Sequence, residues 1–176
     1  MSNNDEMMNP DFEELIEAAR PLVKRFILGR PDFEAATVAA AIRSSTGKIY
    51  TGVCIHLSCG IGFCAEHAAA AEMIKAGETQ IQMIVAVADD CILSPCGRCR
   101  EFLIQIDSRN AESIVILDRD QSMRLGDLLP HHWLMPPGSE QIRAGNPAPL
   151  EGHDTIAYTN GSLHKTRLSL RCTHHH

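Results

Sequence analysis

Two short stretches of the chain hold residue types that do chemistry. One is Cys64-Ala65-Glu66. The other is Pro95-Cys96-Gly97-Arg98-Cys99. Cys96 and Cys99 are three positions apart, so on a helix they share a face and both sulfurs can grip one ion. Alone, such a pair also suits a redox couple or a structural zinc. Cys64 at the head of another helix adds a third sulfur. Three thiolates around Zn²⁺ leave one tetrahedral position open, which marks a catalytic rather than a structural zinc. A metal so held activates water. Glu66 lies two residues past Cys64, in the first helical turn. It reaches the pocket without ligating, where a carboxylate can take a proton from water and deliver it to a leaving group.

Charge balance adds a further residue. Three thiolates and Zn²⁺ sum to one negative charge, which weakens the metal as a Lewis acid. Arg98 or His67 would offset this by hydrogen bonding to a sulfur, and Arg98 is favoured because arginine stays protonated. Cys54, Cys59, Cys91 and Cys172 lack a comparable partnership. Cys54 and Cys91 are expected as small buried apolar residues.

These residues need elements to position them. Asp11 is expected to cap a helix whose apolar positions Phe12, Leu15, Ile16, Ala19, Leu22, Val23 and Phe26 step by three and four, ended by Gly29 and Pro31. Thr37–Ile42 and Ile49–Ile55 flank Ser45-Thr46-Gly47-Lys48 and read as a hairpin. Cys64–Ala76 is rich in alanine and stopped by Gly77. Ile81–Ala88 is a strand buried on both faces, Cys96–Ile106 a helix, Ser113–Leu117 a second buried strand, and Met123–Leu125 a short edge strand. Leu128-Leu129-Pro130 closes the domain in a short helix. The order α-β-β-α-β-α-β-β predicts a three-layer α/β/α fold with a mixed five-stranded sheet. Crossover helices bring their N-termini to one sheet edge, where open α/β sheets bind ligands. A helix N-terminus also favours thiolate over thiol.

The chain has 176 residues, enough for one domain with a sizeable core. Its 16 Lys/Arg against 22 Asp/Glu leave a net charge of −6, which argues against a nonspecific nucleic-acid binder. No apolar run is long enough for a membrane span. The first residues are polar and acidic, so no secretory signal is expected and the thiols would stay reduced in the cytoplasm. Composition shifts near Pro136-Pro137-Gly138, which sets the expected boundary between a catalytic domain over 1–137 and an irregular tail over 138–176. His174, His175 and His176 resemble part of a purification tag.

At Cys64-Ala65-Glu66 and Pro95-Cys96-Gly97-Arg98-Cys99 the sequence resembles the zinc-dependent cytidine deaminase superfamily, whose site is a His or Cys, a Glu, then P-C-x-x-C. The resemblance covers about residues 10–135. Cysteine as the first ligand is similar to the free-nucleoside branch. The run Ile92–Arg100, the alanine-rich helix, and Trp133 soon after Leu128-Leu129-Pro130 look most like blasticidin-S deaminase-type members. The resemblance implies hydrolytic deamination at C4 of a cytosine ring, one zinc per subunit, and a homotetramer. It implies that Glu66 moves protons to N3 and the amine. It implies that the Ala65 N–H and the Ser94 carbonyl read the ring edge.

One departure bears on substrate. Family members carry Asn-x-Glu after the second strand to hold sugar hydroxyls; the matching stretch here, Val53–Gly60, has no Asn or Glu, and His56 and Ser58 are the groups there able to hydrogen bond. A pocket built to bond a hydroxyl discriminates strongly, so the substrate changes with that pair. His67 likewise stands where nucleoside enzymes have Arg. Phe63, Phe33 and Trp133 are candidates for ring stacking, and core or lid packing accounts for them equally well. The leading expectation is a zinc aminohydrolase acting on a small cytosine-type molecule, with substrate contacts from Ala65, Ser94, Cys54, His56 and Trp133. Deamination of a purine or pterin, or a zinc-stabilised module that binds a nucleoside without turnover, are the alternatives.

Overall fold

The computed structural model describes residues 9–134, 156–159 and 162–165. The chain divides into two compact units, Met1–Pro137 and Gly138–His176. In the second, Ile156–Thr159 (β8) and Ser162–Lys165 (β9) pair as an antiparallel hairpin. The rest of the expected tail lies outside the described residues.

The first unit opens with α1, Pro10–Ala19. Its cap is Asn9, whose side chain accepts from the Asp11 N–H at 3.0 Å, rather than Asp11 itself. The apolar periodicity runs on to Phe26, but the helix does not. Pro21 lacks an N–H and its ring clashes with the preceding turn, so the chain tightens into a 3₁₀ turn over Arg20–Leu22. Phe26–Ile27 then forms a short strand, β1, that pairs with Ala35 and Glu34 of β2, Glu34–Ser44. The hairpin to β3, Ile49–His56, is as expected, and Gly47 supplies its positive φ of 87°.

Next come α2 (Ala65–Lys75), β4 (Ile81–Ala88), β5 (Cys91–Leu93) and α3 (Gly97–Ile106). The unit ends with β6 (Ile114–Ile116), β7 (Ser122–Arg124) and α4 (Leu125–Leu128). The sheet is mixed: β4 runs parallel to β6, and the other pairings are antiparallel. It holds seven strands rather than the expected five. The additional strands are the two-residue β1 and the three-residue β5, too short to leave a period-two signature.

Two apolar layers enclose the sheet. On one face Ala39, Ala41, Met83, Val85 and Val87 pack against Leu15, Ile16 and Ala19 of α1. On the other, Ala40, Ile42, Ile84 and Ala86 pack against Ala69 and Met73 of α2 and Leu103 and Ile104 of α3. Alternate residues of β2 and β4 thus serve opposite layers, giving the near-continuous apolar runs of doubly covered strands. Under α1, buried Arg43 donates to the Asp11 carboxylate at 2.9 Å and pairs with Glu14.

Two features set the helices that matter for the site. A Cβ on Gly52 of β3 would come within 2.3 Å of the Ala69 backbone nitrogen, so α2 lies directly on the strand there. Its far end closes at Gly77, with Gly77 N–H on the Ile74 carbonyl (2.9 Å) and Glu78 N–H on the Met73 carbonyl (3.2 Å). The end of α3 is fastened by buried Asn110, which accepts from Ile81 N–H at 2.8 Å and donates to the carbonyls of Leu103 (2.9 Å) and Thr79 (3.1 Å).

Candidate active site

Cys64 is the N-cap of α2 and Cys96 the N-cap of α3, both in extended backbone conformations just outside their helices. Cys99 sits in the first turn of α3 and is fully buried. The three sulfurs lie within 4.8 Å of one another. Cys64 Sγ is 3.8 Å from Cys96 Sγ, which is 3.3 Å from Cys99 Sγ. The Cys99 N–H also donates to the Cys96 sulfur at 3.4 Å.

This spacing fits one metal ion. Tetrahedral sulfurs at about 2.3 Å from zinc stand about 3.8 Å apart. Without a cation, the trio does not favour three thiolates. Burial pushes the Cys99 thiol far above its ordinary range, with the Glu66 charge adding to it. Burial raises Cys64 as well. At Cys96 burial acts in the same upward direction, but the Cys99 N–H and the neighbouring thiols outweigh it and Cys96 falls below the usual value. Three thiolates this close need a cation among them, and a divalent ion supplies it.

Glu66, in the first turn of α2, is only 5 % exposed. Burial raises its carboxyl above the usual carboxylate range, so the group is able to hold a proton. A cavity of about 550 Å³ opens over these groups. Cys64, Glu66, Cys96, Ala65, Ser94, Cys54, His56 and Arg98 all line it. Val38, Leu57, Phe63 and Leu93 make much of the remaining wall apolar.

Several residues stand differently from their sequence-based roles. No hydrogen bond from Arg98 to a sulfur occurs among the described residues; the sulfur contact comes from His67. The His67 Nδ1 is 3.5 Å from Cys99 Sγ, and the ring stacks on Phe102 at 4.2 Å between centroids and 18° between planes. Burial, then the Arg98 charge, hold this imidazole below its ordinary pKa. The sequence signal for His67 was its position three residues after Cys64, on the same helix face. Cys54 lines the cavity but its sulfur is engaged in the wall, accepting from Val38 N–H at 3.2 Å with Thr37 Oγ1 also at 3.2 Å. His56 Nδ1 lies 3.5 Å from Glu34 on the neighbouring strand, and Arg25 holds that carboxylate ionised. Trp133 is not among the lining residues; it is 82 % exposed, and its backbone N–H donates to Glu101 at 3.1 Å. Cys91 is exposed, contrary to its expected burial, because it begins an edge strand.

Residues 11–116 match the family model described as the cytidine and deoxycytidylate deaminase zinc-binding region. The chain is 37 % identical over 71 residues to a probable cytidine deaminase of Dictyostelium discoideum, covering 39 % of this chain and 48 % of that protein. It is 37 % identical over 76 residues to the blasticidin-S deaminase of Bacillus cereus, covering 38 % of this chain and 54 % of that protein. The chain thus spans about half the length of these two relatives. Among solved structures, the cytidine deaminase from Mycobacterium tuberculosis superposes with a TM-score of 0.60 at 27 % identity, over 72 % of this chain and 100 % of that one.

Proposed function

The chain belongs to the cytidine and deoxycytidylate deaminase zinc-binding family, and from that premise we propose that it is a zinc-dependent aminohydrolase removing the exocyclic amine of a small cytosine-type molecule. The observation that carries this reading is three sulfurs within 4.8 Å, from the heads of two helices, beside a buried carboxyl in one cavity.

Cys64, Cys96 and Cys99 would hold the metal. When bound by these sulfurs, zinc would supply the Lewis acidity that makes water a nucleophile. Glu66 would accept one proton from the attacking water and pass it to N3, then accept the second from the hydroxyl formed at C4 and pass it to the departing amine. Burial raises its pKa, which makes the carboxyl a better proton acceptor than an exposed one. The Ala65 N–H and Ser94 carbonyl orient the ring edge. Water adds and ammonia leaves, so the product is the corresponding uracil compound.

The substrate is a cytosine nucleoside, either cytidine or a modified or bulkier relative of it. The cavity is roomy, at about 550 Å³, and the Cys54 sulfur is already engaged by Thr37 and Val38 where a sugar hydroxyl would need a partner. Residues 1–137 form the catalytic domain, the chain assembles as a homotetramer, and it works in the cytoplasm on small molecules, not on nucleic acid or at a membrane. Among the described residues no helix is long and apolar enough to cross a membrane.

Metal content is measured beside turnover, followed by ultraviolet absorbance and ammonia release, on cytidine, deoxycytidine, N4-substituted cytidines and blasticidin S. The expected result is one zinc per chain and ammonia from at least one compound. Activity on guanine or adenine compounds only would move the reading to another amino-heterocycle. A Glu66→Gln protein unchanged in every property would leave a binding module.

A further inference from the structure

The turn that carries Cys96 into the cavity follows β5, a three-residue strand paired with β4. Pro95 contributes no N–H to hold it. One side chain supplies the tether. The Arg100 guanidinium donates through Nε to the Pro95 carbonyl at 2.7 Å, through Nη2 to Ser94 Oγ at 3.2 Å, and through Nη1 to the Leu128 carbonyl at 2.9 Å. The Arg100 backbone N–H meanwhile donates to the Cys96 carbonyl at 3.0 Å, closing the first turn of α3. All three side-chain acceptors are uncharged oxygens. The contacts therefore follow from the rigid planar fork of arginine meeting three fixed acceptors, not from attraction to a counterion. Leu128 belongs to α4, whose Leu125 is fully buried, so the far end of the tether rests on the core. Ser94 and Cys96, at the near end, both line the cavity.

We infer that Arg100 is a positioning residue for the reaction: its guanidinium fixes the Ser94-Pro95-Cys96 turn against α4, and so sets the cavity wall at Ser94 and the Cys96 sulfur together. This rests on the zinc aminohydrolase reading above. The Arg100 guanidinium only donates hydrogen bonds to fixed acceptors here, so its removal is expected to leave the shape of the pH–rate profile unchanged.

The test uses the full chain, zinc-loaded, with Arg100→Met, Arg100→Lys and Ser94→Ala. Arg100→Met is expected to surrender zinc to a chelator about tenfold faster or more. Its KM should rise about tenfold while kcat stays within about threefold, since the lost contacts orient groups and do not transfer protons. Amide hydrogen exchange in the metal-free protein should accelerate over residues 94–99 and not elsewhere. Arg100→Lys keeps one donor and the charge, and should fall between; Ser94→Ala should raise KM and leave zinc release unchanged. Zinc release and KM within about twofold of the parent, or faster exchange spread over the whole chain, would overturn the inference. Should Arg100→Met fail to fold, Arg100→Lys is read against the same criteria. A parent that holds no zinc and turns over nothing would defeat the proposed function, and exchange over 94–99 would then decide the role of Arg100 alone.

Discussion

The His67 Nδ1 stands 3.5 Å from the Cys99 sulfur while the ring face stacks on Phe102. Cys99 is the most deeply buried of the three sulfurs and the one whose thiol burial raises furthest. In the tautomer that carries its proton on Nδ1, the neutral ring would donate to that sulfur and draw electron density from it without adding a full charge. Stacking on Phe102 keeps the ring from turning away.

Replacing His67 with Phe preserves the ring and removes the nitrogen. Zinc affinity should fall about tenfold, as for other groups that hydrogen bond to a metal ligand. Competition with a chromophoric chelator measures it. Phe102→Leu should produce a smaller loss in the same direction, because it frees the ring without deleting it. Affinity unchanged in both variants would mean that His67 only fills space.

Glu66→Gln keeps the shape of the side chain and removes its ability to accept a proton. Turnover should drop by about two to four orders of magnitude. Zinc content and the far-ultraviolet circular dichroism should match the parent. Loss of zinc together with activity would instead assign Glu66 a structural part.

Gly52→Ala tests the seat of α2. The added Cβ would lie 2.3 Å from the Ala69 nitrogen and 2.6 Å from the Ala68 Cβ, and backbone cannot yield as a flexible side chain does. Stability should fall by about 1–3 kcal/mol or more, read from urea denaturation. Activity should suffer too, since the same helix carries Cys64 and Glu66 at its head. A midpoint equal to that of the parent would show that strand and helix part easily.

Glu78 governs a pH dependence of folding away from the cavity. Hydrogen bonding from Ser44 chiefly, then from Thr46, Tyr50 and Lys48, holds its carboxyl at about 2, below its ordinary 4.5. A depressed acid stabilises the folded state above its unfolded value and loses that contribution as pH falls through the folded value. The parent should therefore exceed Glu78→Gln in urea midpoint at neutral pH. That advantage should shrink steadily as pH drops from about 5 to about 2. A constant gap between the two proteins over this range would contradict the depressed pKa.

The cluster of chemistry was legible because its signals are local. Cysteines three apart at a helix head share a face in almost any context, and Cys64-Ala65-Glu66 ahead of an alanine-rich run marks a second such head. The long apolar runs of Ile81–Ala88 and the hairpin around Gly47 were readable for the same reason. The stop of α1 at Pro21 was present in the chain but masked by a periodicity that continued past it, and two- and three-residue strands carry no period to detect.

From sequence alone came the residue types able to bind a metal, their helix heads, and the carboxyl beside them, because helix geometry converts spacing into a common face. Tertiary structure alone decided which group touches which sulfur. His67 meets Cys99 because α2 and α3 pack side by side over one sheet face, while Arg98 contributes to the cavity wall. It also decided that Cys54 is bound up with Thr37 and Val38, and that Trp133 stands out in solvent. Such outcomes depend on strand register and helix packing between residues far apart in the chain, and no local pattern encodes the distance between two side chains that meet only after the sheet has closed.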